Sequence, residues 1–399
     1  MTNVETNTKS IKSKIIIKTE KVAFIQHGHP WVFPKAIQQQ ENYITADLVA
    51  VESKEHGFLG IGVYNDHSLY RVRMLTRAHE NIQPNFKDII FKRLQDAIYL
   101  REKLNLPNQD TSAFRMFNSE GDGLSGLTID RFADVLVVSS SAYWIENQRN
   151  LIINILSSLC PAKNIHWLSQ SKQLTQDGWN EPLSISTLPN PFIIKENGIK
   201  FHIDAANSQK TGLYLDQRDN HELIASFAKD KKVLDLYTYT GGFALNAAKG
   251  GASFVLAVDS SMSAIATAKE NADLNEYTQI EWVKADAREY LYKASEFDII
   301  ILDPPKLMPS KKVQVQAKNY YRFLHREIFK VMRPYTLFMT CNCSSGLKQH
   351  EFIELIYHQA LYVNKTVRIL SVRGPAVCHP TIPAFSEGQY LTAVFGVVL

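Results

Sequence analysis

Cysteine is scarce in this chain, with four in 399 residues: Cys160, Cys341, Cys343 and Cys378. That excludes a disulfide scaffold and suggests a reducing, cytoplasmic compartment. Only Cys341 and Cys343 lie close together, and one intervening residue fits no common zinc spacing, so no metal site is expected. No apolar run is long enough to cross a bilayer. The first residues, MTNVETNTKS, lack the apolar core of a secretory signal. Internal repeats and low-complexity tracts are missing. The Gly241-Gly242 turn does not read as the G-x-G-x-x-G dinucleotide fingerprint. The glycine-rich turn NSEGDGLSG (Asn118–Gly126) has no helix and no Lys-Ser/Thr pair behind it, so it reads as a tight hairpin rather than a phosphate loop.

What is present is a globular composition, with 45% hydrophobic and 21% charged residues. The length suits two or three domains. A net charge of +4 permits nucleic-acid binding without demonstrating it. Residues 1–14 read as a polar arm. From residue 15 to 78, short runs such as ADLVAVES, GFLGIGVYN and LYRVRMLTR alternate with turn signals, so a small all-β barrel is expected. GHPWVFPKAI reads as loop. Residues 79–189 follow as an α+β domain, with helices over Phe86–Leu100 and Asn147–Leu159 around a strand–turn–strand stretch. Residues 190–399 open with a hairpin signalled by Asn197-Gly198. From Lys231 onward strands and helices alternate, which implies a doubly wound, mostly parallel sheet.

In such a sheet, ligands gather at the carboxyl ends of the strands. Four successive strands here end in an acid. VLDLY carries Asp235 and runs into the turn Gly241-Gly242-Phe243; FVLAVD ends in Asp259, IEWVKAD in Asp286 and IIILD in Asp303, before Pro304, Pro305 and Lys306. Any one of them is explained as a helix cap. As a set they suit a cationic sulfonium ligand: Asp235 for its amino-acid end, Asp259 for a ribose diol, Asp286 for an adenine amino group.

These residues resemble the motifs of class I S-adenosylmethionine-dependent methyltransferases, which carry a seven-stranded Rossmann-like sheet. GHPWVF, RMFNSEGDGLSGLTIDRF and QKTGLYLDQRDN extend the resemblance over nearly the whole chain, to the bacterial 23S rRNA cytosine-C5 methyltransferases with an N-terminal PUA domain. It implies that the β-module binds RNA and that S-adenosylmethionine is the cofactor. It also implies that Thr211, Tyr214, Gln217 and Arg218 lie near that cofactor with Tyr237, and that a homodimer is the assembly. The partner it implies is large-subunit ribosomal RNA.

For cytosine carbon 5, a poor nucleophile, a thiolate adding to carbon 6 makes an enamine that takes the methyl group. Cys343, at the end of the fifth strand in TCNCSSG, matches the family's Cys-Ser and is the expected nucleophile. Cys341 reads as a buried small residue. Asp303 would stabilise the adduct at ring nitrogen 3. Lys306 stands where amine-methylating enzymes carry an aromatic ring, and can meet a phosphate or base carbonyl. Glu387, in AFSEGQYL, is the candidate base for the carbon-5 proton, with His379 as the second. Lys311, Lys312 and Arg322, among further basic residues interleaved with Tyr320, Tyr321 and Phe323, read equally as an RNA track and as the wet face of an amphipathic helix. Two other readings stay open: a guanine-N7 methyltransferase of the same architecture, and a non-catalytic RNA-binding protein of ribosome assembly.

Overall fold

A computed structural model describes residues 11, 13–41, 43–160, 162, 164–183, 192–203, 213–308 and 311–399. The chain divides into two compact units. The first comprises residues 1–108, 112–188 and 378–388; the second comprises 109–111, 189–377 and 389–399.

In the first unit, strands β1 (Lys14–Ile17), β2 (Trp31–Val32), β3 (Ile37–Gln39), β4 (Leu48–Ser53), β5 (Gly57–Tyr64) and β6 (Val72–Met74) form one sheet in the order β2-β6-β5-β4-β1-β3. Its core is aliphatic: Ile15, Ile17, Val49, Val51 and Val72 are fully buried. The expectation of an all-β module needs one addition. TEKVAFIQ forms helix α1 (Thr19–Gln26), because Val22 and Ile25, three apart, both turn into that core. GHPWVF is also more regular than a loop, since Trp31–Val32 pairs with β6.

A second sheet follows helix α2 (Phe86–Lys103). It is built from β7 (Ala113–Asn118), β8 (Leu127–Phe132), β9 (Val135–Ser140) and β10 (Asn164–Ser169), with helices α3 (Tyr143–Asn147), α4 (Arg149–Leu159) and α5 (Ser171–Gln176). The NSEGDG turn is a 3-10 turn held by a buried ion pair. Arg101 Nη1 and Nη2 donate to Asp122, at 2.7 and 2.8 Å, and Nη2 also donates to the Cys378 carbonyl. Its glycines are therefore structural, as the hairpin reading expects.

The second unit begins with the hairpin β11 (Phe192–Glu196) and β12 (Ile199–Ile203), in which Asn197 takes a left-handed φ of 51° at the turn. Then follow α6 (Arg218–Phe227), β13 (Lys232–Leu236), α7 (Gly242–Lys249), β14 (Phe254–Asp259), α8 (Met262–Leu274), β15 (Ile280–Lys284), β16 (Ile299–Leu302), α9 (Gln314–Val331), β17 (Leu337–Asn342), α10 (Gln349–Tyr362), β18 (Val367–Arg373) and β19 (Thr392–Val398). The helix expected after Asp286 is 3-10 helical over Ala287–Glu296.

The sheet is seven-stranded, in the order β15-β14-β13-β16-β17-β19-β18, parallel except for β19, which runs antiparallel to both its neighbours. The order reverses beside β13, whose neighbours are β14 and β16, and a reversal of this kind opens a crevice at the strand ends. β16 reads Ile-Ile-Ile-Leu with all four side chains buried, as a central parallel strand covered on both faces requires. Leu324, Ile328 and Phe329 of α9 and Phe352 and Ile356 of α10 are among its covering side chains. That core leaves the polar ends of β13, β14, β16 and β17 in fixed register.

Candidate active site

The glycine turn after β13 is closely fitted. Gly241 has a φ of +90°, and a side chain there would begin 2.7 Å from the Trp282 ring. At Gly242 a side chain would begin 2.5 Å from the His221 imidazole. Tyr237 and Tyr239 are also left-handed, at φ 68° and 50°. Non-glycine residues rarely accept this conformation, and held strain of this kind clusters at ligand sites. Sequence reasoning missed Tyr239, since nothing about a tyrosine announces it.

Asp235 is fully buried. Its Oδ2 accepts from the Thr238 hydroxyl at 2.6 Å and the Ala244 amide at 3.0 Å, so it caps the start of α7. Its Oδ1 has no partner among the described residues. Burial pushes this carboxyl up to about 6. A buried, half-satisfied carboxylate at a helix start is costly unless a cation or donor completes it.

Asp259, at the end of β14, accepts from the amides of Tyr239 (3.0 Å) and Ser261 (2.8 Å), which ties two loops to one strand end. Asp286 accepts from the Arg288 amide at 2.9 Å and is paired with the Arg288 guanidinium, which holds it below the usual carboxylate range. Tyr237 and Tyr320 join their hydroxyls at 2.9 Å. Phe243 is buried in α7.

Asp303 follows β16 directly. Gln217 donates to its Oδ2 at 3.0 Å, and Gln217 itself accepts from Asn220 at 2.6 Å. Burial pushes Asp303 up to about 7. Tyr214 meets Tyr239 edge-on at 5.2 Å and is pushed up to about 12, by burial first and then by Tyr239, Asp303 and Cys343. Arg218 is buried against Asp219 at 2.9 Å.

The two neighbouring cysteines differ. Cys341 lies inside β17 and is completely buried, its thiol beside Gln217 and Asp303 and raised well above its ordinary value by burial. Cys343 lies one residue past the strand, partly exposed, with Sγ 4.0 Å from the Pro304 carbonyl. The structure thus brings Cys343, Asp303, Gln217 and Tyr214 together at adjoining strand ends.

Comparison with known proteins agrees with this geometry. The S-adenosylmethionine-dependent methyltransferase family matches residues 127–362, and a PUA-like domain matches residues 15–77. A protein of Aeromonas salmonicida named ribosomal RNA large subunit methyltransferase I is 34% identical over 373 residues, 91% of this chain and 93% of its own length. One of Vibrio vulnificus with the same name is 32% identical over 91% of this chain and 94% of its own. The chain belongs to this family of S-adenosylmethionine-dependent methyltransferases. Its fold also matches a methyltransferase crystal structure complexed with SAH, SMU.776. The TM-score is 0.81 at 20% identity, covering 96% of this chain and all of the other. An S-adenosylmethionine-dependent methyltransferase structure from Streptococcus mutans matches at a TM-score of 0.78 and 21% identity, over 96% of this chain and all of the other.

The cofactor is therefore S-adenosylmethionine, and the side-chain-free turn at Gly241-Gly242 and the unpartnered Asp235 oxygen fit it. Tyr214, Gln217, Tyr237, Asp259 and Asp286 surround the same strand ends. Thr211 lies outside the described residues. So does the side chain of Lys311. Lys306, Lys312 and Arg322 are exposed, and no described carboxylate pairs with them. The other basic residues of α9 are engaged: Lys318 binds Glu351 at 2.7 Å, and Arg326 and Lys330 bind Glu327. Glu387 belongs to the first unit and is half-exposed, with Oε2 3.8 Å from His29 Nε2. His379 is also in the first unit, its Nδ1 3.3 Å from the Cys378 sulfur. No described helix is long and apolar enough to cross a membrane.

Proposed function

We propose that this enzyme methylates carbon 5 of a cytosine in large-subunit ribosomal RNA, with Cys343 as the nucleophile. The observation that carries the reading is the placing of the two cysteines. Cys343 stands partly exposed against the Asp303-Pro304 loop, whereas Cys341 is sealed in the strand. A thiol meant to bond a base must reach it, and only the first can.

In this reading the base leaves its stack to enter the site. The Cys343 sulfur adds to carbon 6, and carbon 5 becomes nucleophilic. The bound cofactor supplies the activated methyl group that carbon 5 takes. Asp303, whose carboxyl burial pushes up to about 7, donates in its protonated form to ring nitrogen 3 and steadies the adduct. Removal of the carbon-5 proton returns the electron pair to the ring and expels the thiolate; Glu387 is the proposed base. Lys306, Lys311, Lys312 and Arg322 would neutralise RNA phosphates, and the PUA-like module would hold the RNA. Scarce cysteine supports a cytoplasmic enzyme.

The test is direct. Wild type and Cys343→Ala are incubated with labelled S-adenosylmethionine and 23S rRNA lacking the modification. Label in 5-methylcytosine from wild type alone supports the reading. Undiminished label from the variant would falsify it and favour chemistry that needs no cysteine.

A further inference from the structure

The hairpin β11–β12 stands outside the seven-stranded sheet, yet it is tied to the helices that flank the glycine turn. Asn271 of α8 accepts from the His202 amide at 2.7 Å, Asn275 bonds Lys200 both ways at 2.9 and 2.7 Å, and Asn197 donates to the Arg218 carbonyl of α6 at 3.0 Å. This anchoring delivers Glu196, the last residue of β11, into the interior. Its carboxylate is completely buried and accepts from His221 Nδ1 at 2.8 Å; its other oxygen has no partner among the described residues.

A buried polar pair is a poor way to add stability, since an apolar pair of similar volume does as well. What it supplies is orientation. With Nδ1 fixed on Glu196, the Cε1–Nε2 edge of the ring stands 2.5–2.6 Å from where a Cβ on residue 242 would begin. The Phe243 ring closes the other approach edge-on at 4.5 Å. Burial pushes both Asp235 and Asp303 up, and His221 acts on both carboxyls in the opposite direction.

We propose that His221 is a positioning residue of the cofactor site. Braced by Glu196, its imidazole occupies the space a side chain at residue 242 would take, and so fixes the turn and the first amides of α7. The hairpin is then part of the cofactor site, although none of its strands belongs to the sheet.

Calorimetric titration of the full chain with S-adenosylmethionine tests this in a four-variant cycle. Gly242→Ala is expected to weaken the Kd about tenfold or more, because its methyl group meets the ring. His221→Ala is expected to weaken it by a smaller factor. The double variant should bind more tightly than Gly242→Ala alone, since the collision is gone; single effects that simply multiply would overturn the proposal. Glu196→Ala should weaken binding, with Glu196→Gln recovering most of the loss because an acceptor for Nδ1 returns. Cofactor KM should follow Kd across the series while kcat changes less, a split that loss of fold alone does not produce. Amide exchange over residues 241–245 in Glu196→Ala should be faster than in wild type. Unchanged exchange there also overturns the proposal, and it needs no variant at residue 221. Wild-type protein that bound no cofactor would instead count against the cofactor assignment.

Discussion

Replacing Asp303 with Asn separates the stability of this carboxyl from its function. Burial raises its pKa from 3.8 to about 7 in the folded chain. A raised pKa means the folded state holds the proton more tightly than the unfolded chain does. The associated stability is fully present below about pH 4 and is lost as pH rises through about 7. Between about pH 5 and pH 8.5 the loss amounts to about 3 kcal/mol by linkage, an upper figure because the side chain is partly exposed. Asn has nearly the same shape, keeps an oxygen for Gln217 and carries no charge to desolvate. Asp303→Asn should therefore match wild type within about 1 kcal/mol near pH 5 and gain on it steadily toward pH 8.5. Urea-dependent hydrogen exchange of the β16 and β17 amides reads this for the second unit alone. Methyl transfer should move the opposite way, falling about 10²–10⁴-fold. In wild type, kcat/KM should decline as pH rises above about 7, as the donor at ring nitrogen 3 is lost. A variant whose stability tracks wild type at every pH would refute the burial argument. A variant that keeps both rate and pH profile would refute the catalytic one.

Cys343→Ala should leave the cofactor Kd unchanged in calorimetry while abolishing turnover; Cys341→Ala should keep measurable turnover and lose about 1–3 kcal/mol of stability from its cavity. Charge reversal at Lys312 and Arg322 should weaken RNA binding and lower the slope of log K against log salt by about one for each phosphate no longer neutralised, with kcat unaltered; an unchanged slope removes them from the RNA track. Glu387→Gln should accumulate a denaturant-resistant protein–RNA adduct visible on a gel, and turnover at the wild-type rate withdraws Glu387 as the base. Asp122→Ala should destabilise the first unit by about 3–5 kcal/mol, because it leaves the buried Arg101 charge unpaired, without changing cofactor affinity.

The sheet and its acids were legible because parallel strands write themselves plainly. An apolar run such as IIIL or FVLAV is buried on both faces and ends where the chain can afford an acid, so Asp259 and Asp303 declare strand ends by position alone. The left-handed tyrosines carry no such mark: Tyr237 and Tyr239 are held by what surrounds them, and glycine would have been the readable choice. The basic residues of α9 show the same limit. The pairing of Glu327 with Lys330 is local and follows from i,i+3 spacing, but the partner of Lys318 comes from α10, 33 residues away. Glu196 and His221 meet only because a hairpin docks on helices, which spacing does not foretell. Glu387 stands near the last strand in sequence, yet its loop is part of the first unit, where it faces His29.

The cysteine pair shows why a strand's end matters more than its periodicity. Alternation by two puts Cys341 and Cys343 on one face if β17 runs through both. It stops at Asn342, whose amide group donates to the Ser344 and Leu347 carbonyls and whose Oδ1 accepts from the Ser344 amide, so the chain turns there. The turn leaves one sulfur sealed beside Gln217 and Asp303 and carries the other out to the Pro304 carbonyl. Two thiols separated by one residue thus acquire different chemistry, and that residue is a buried asparagine. Asn342→Leu would fill that space while removing these bonds and the one its Oδ1 accepts from the Tyr321 hydroxyl. It should therefore cost turnover through a displaced Cys343 more than it costs cofactor binding.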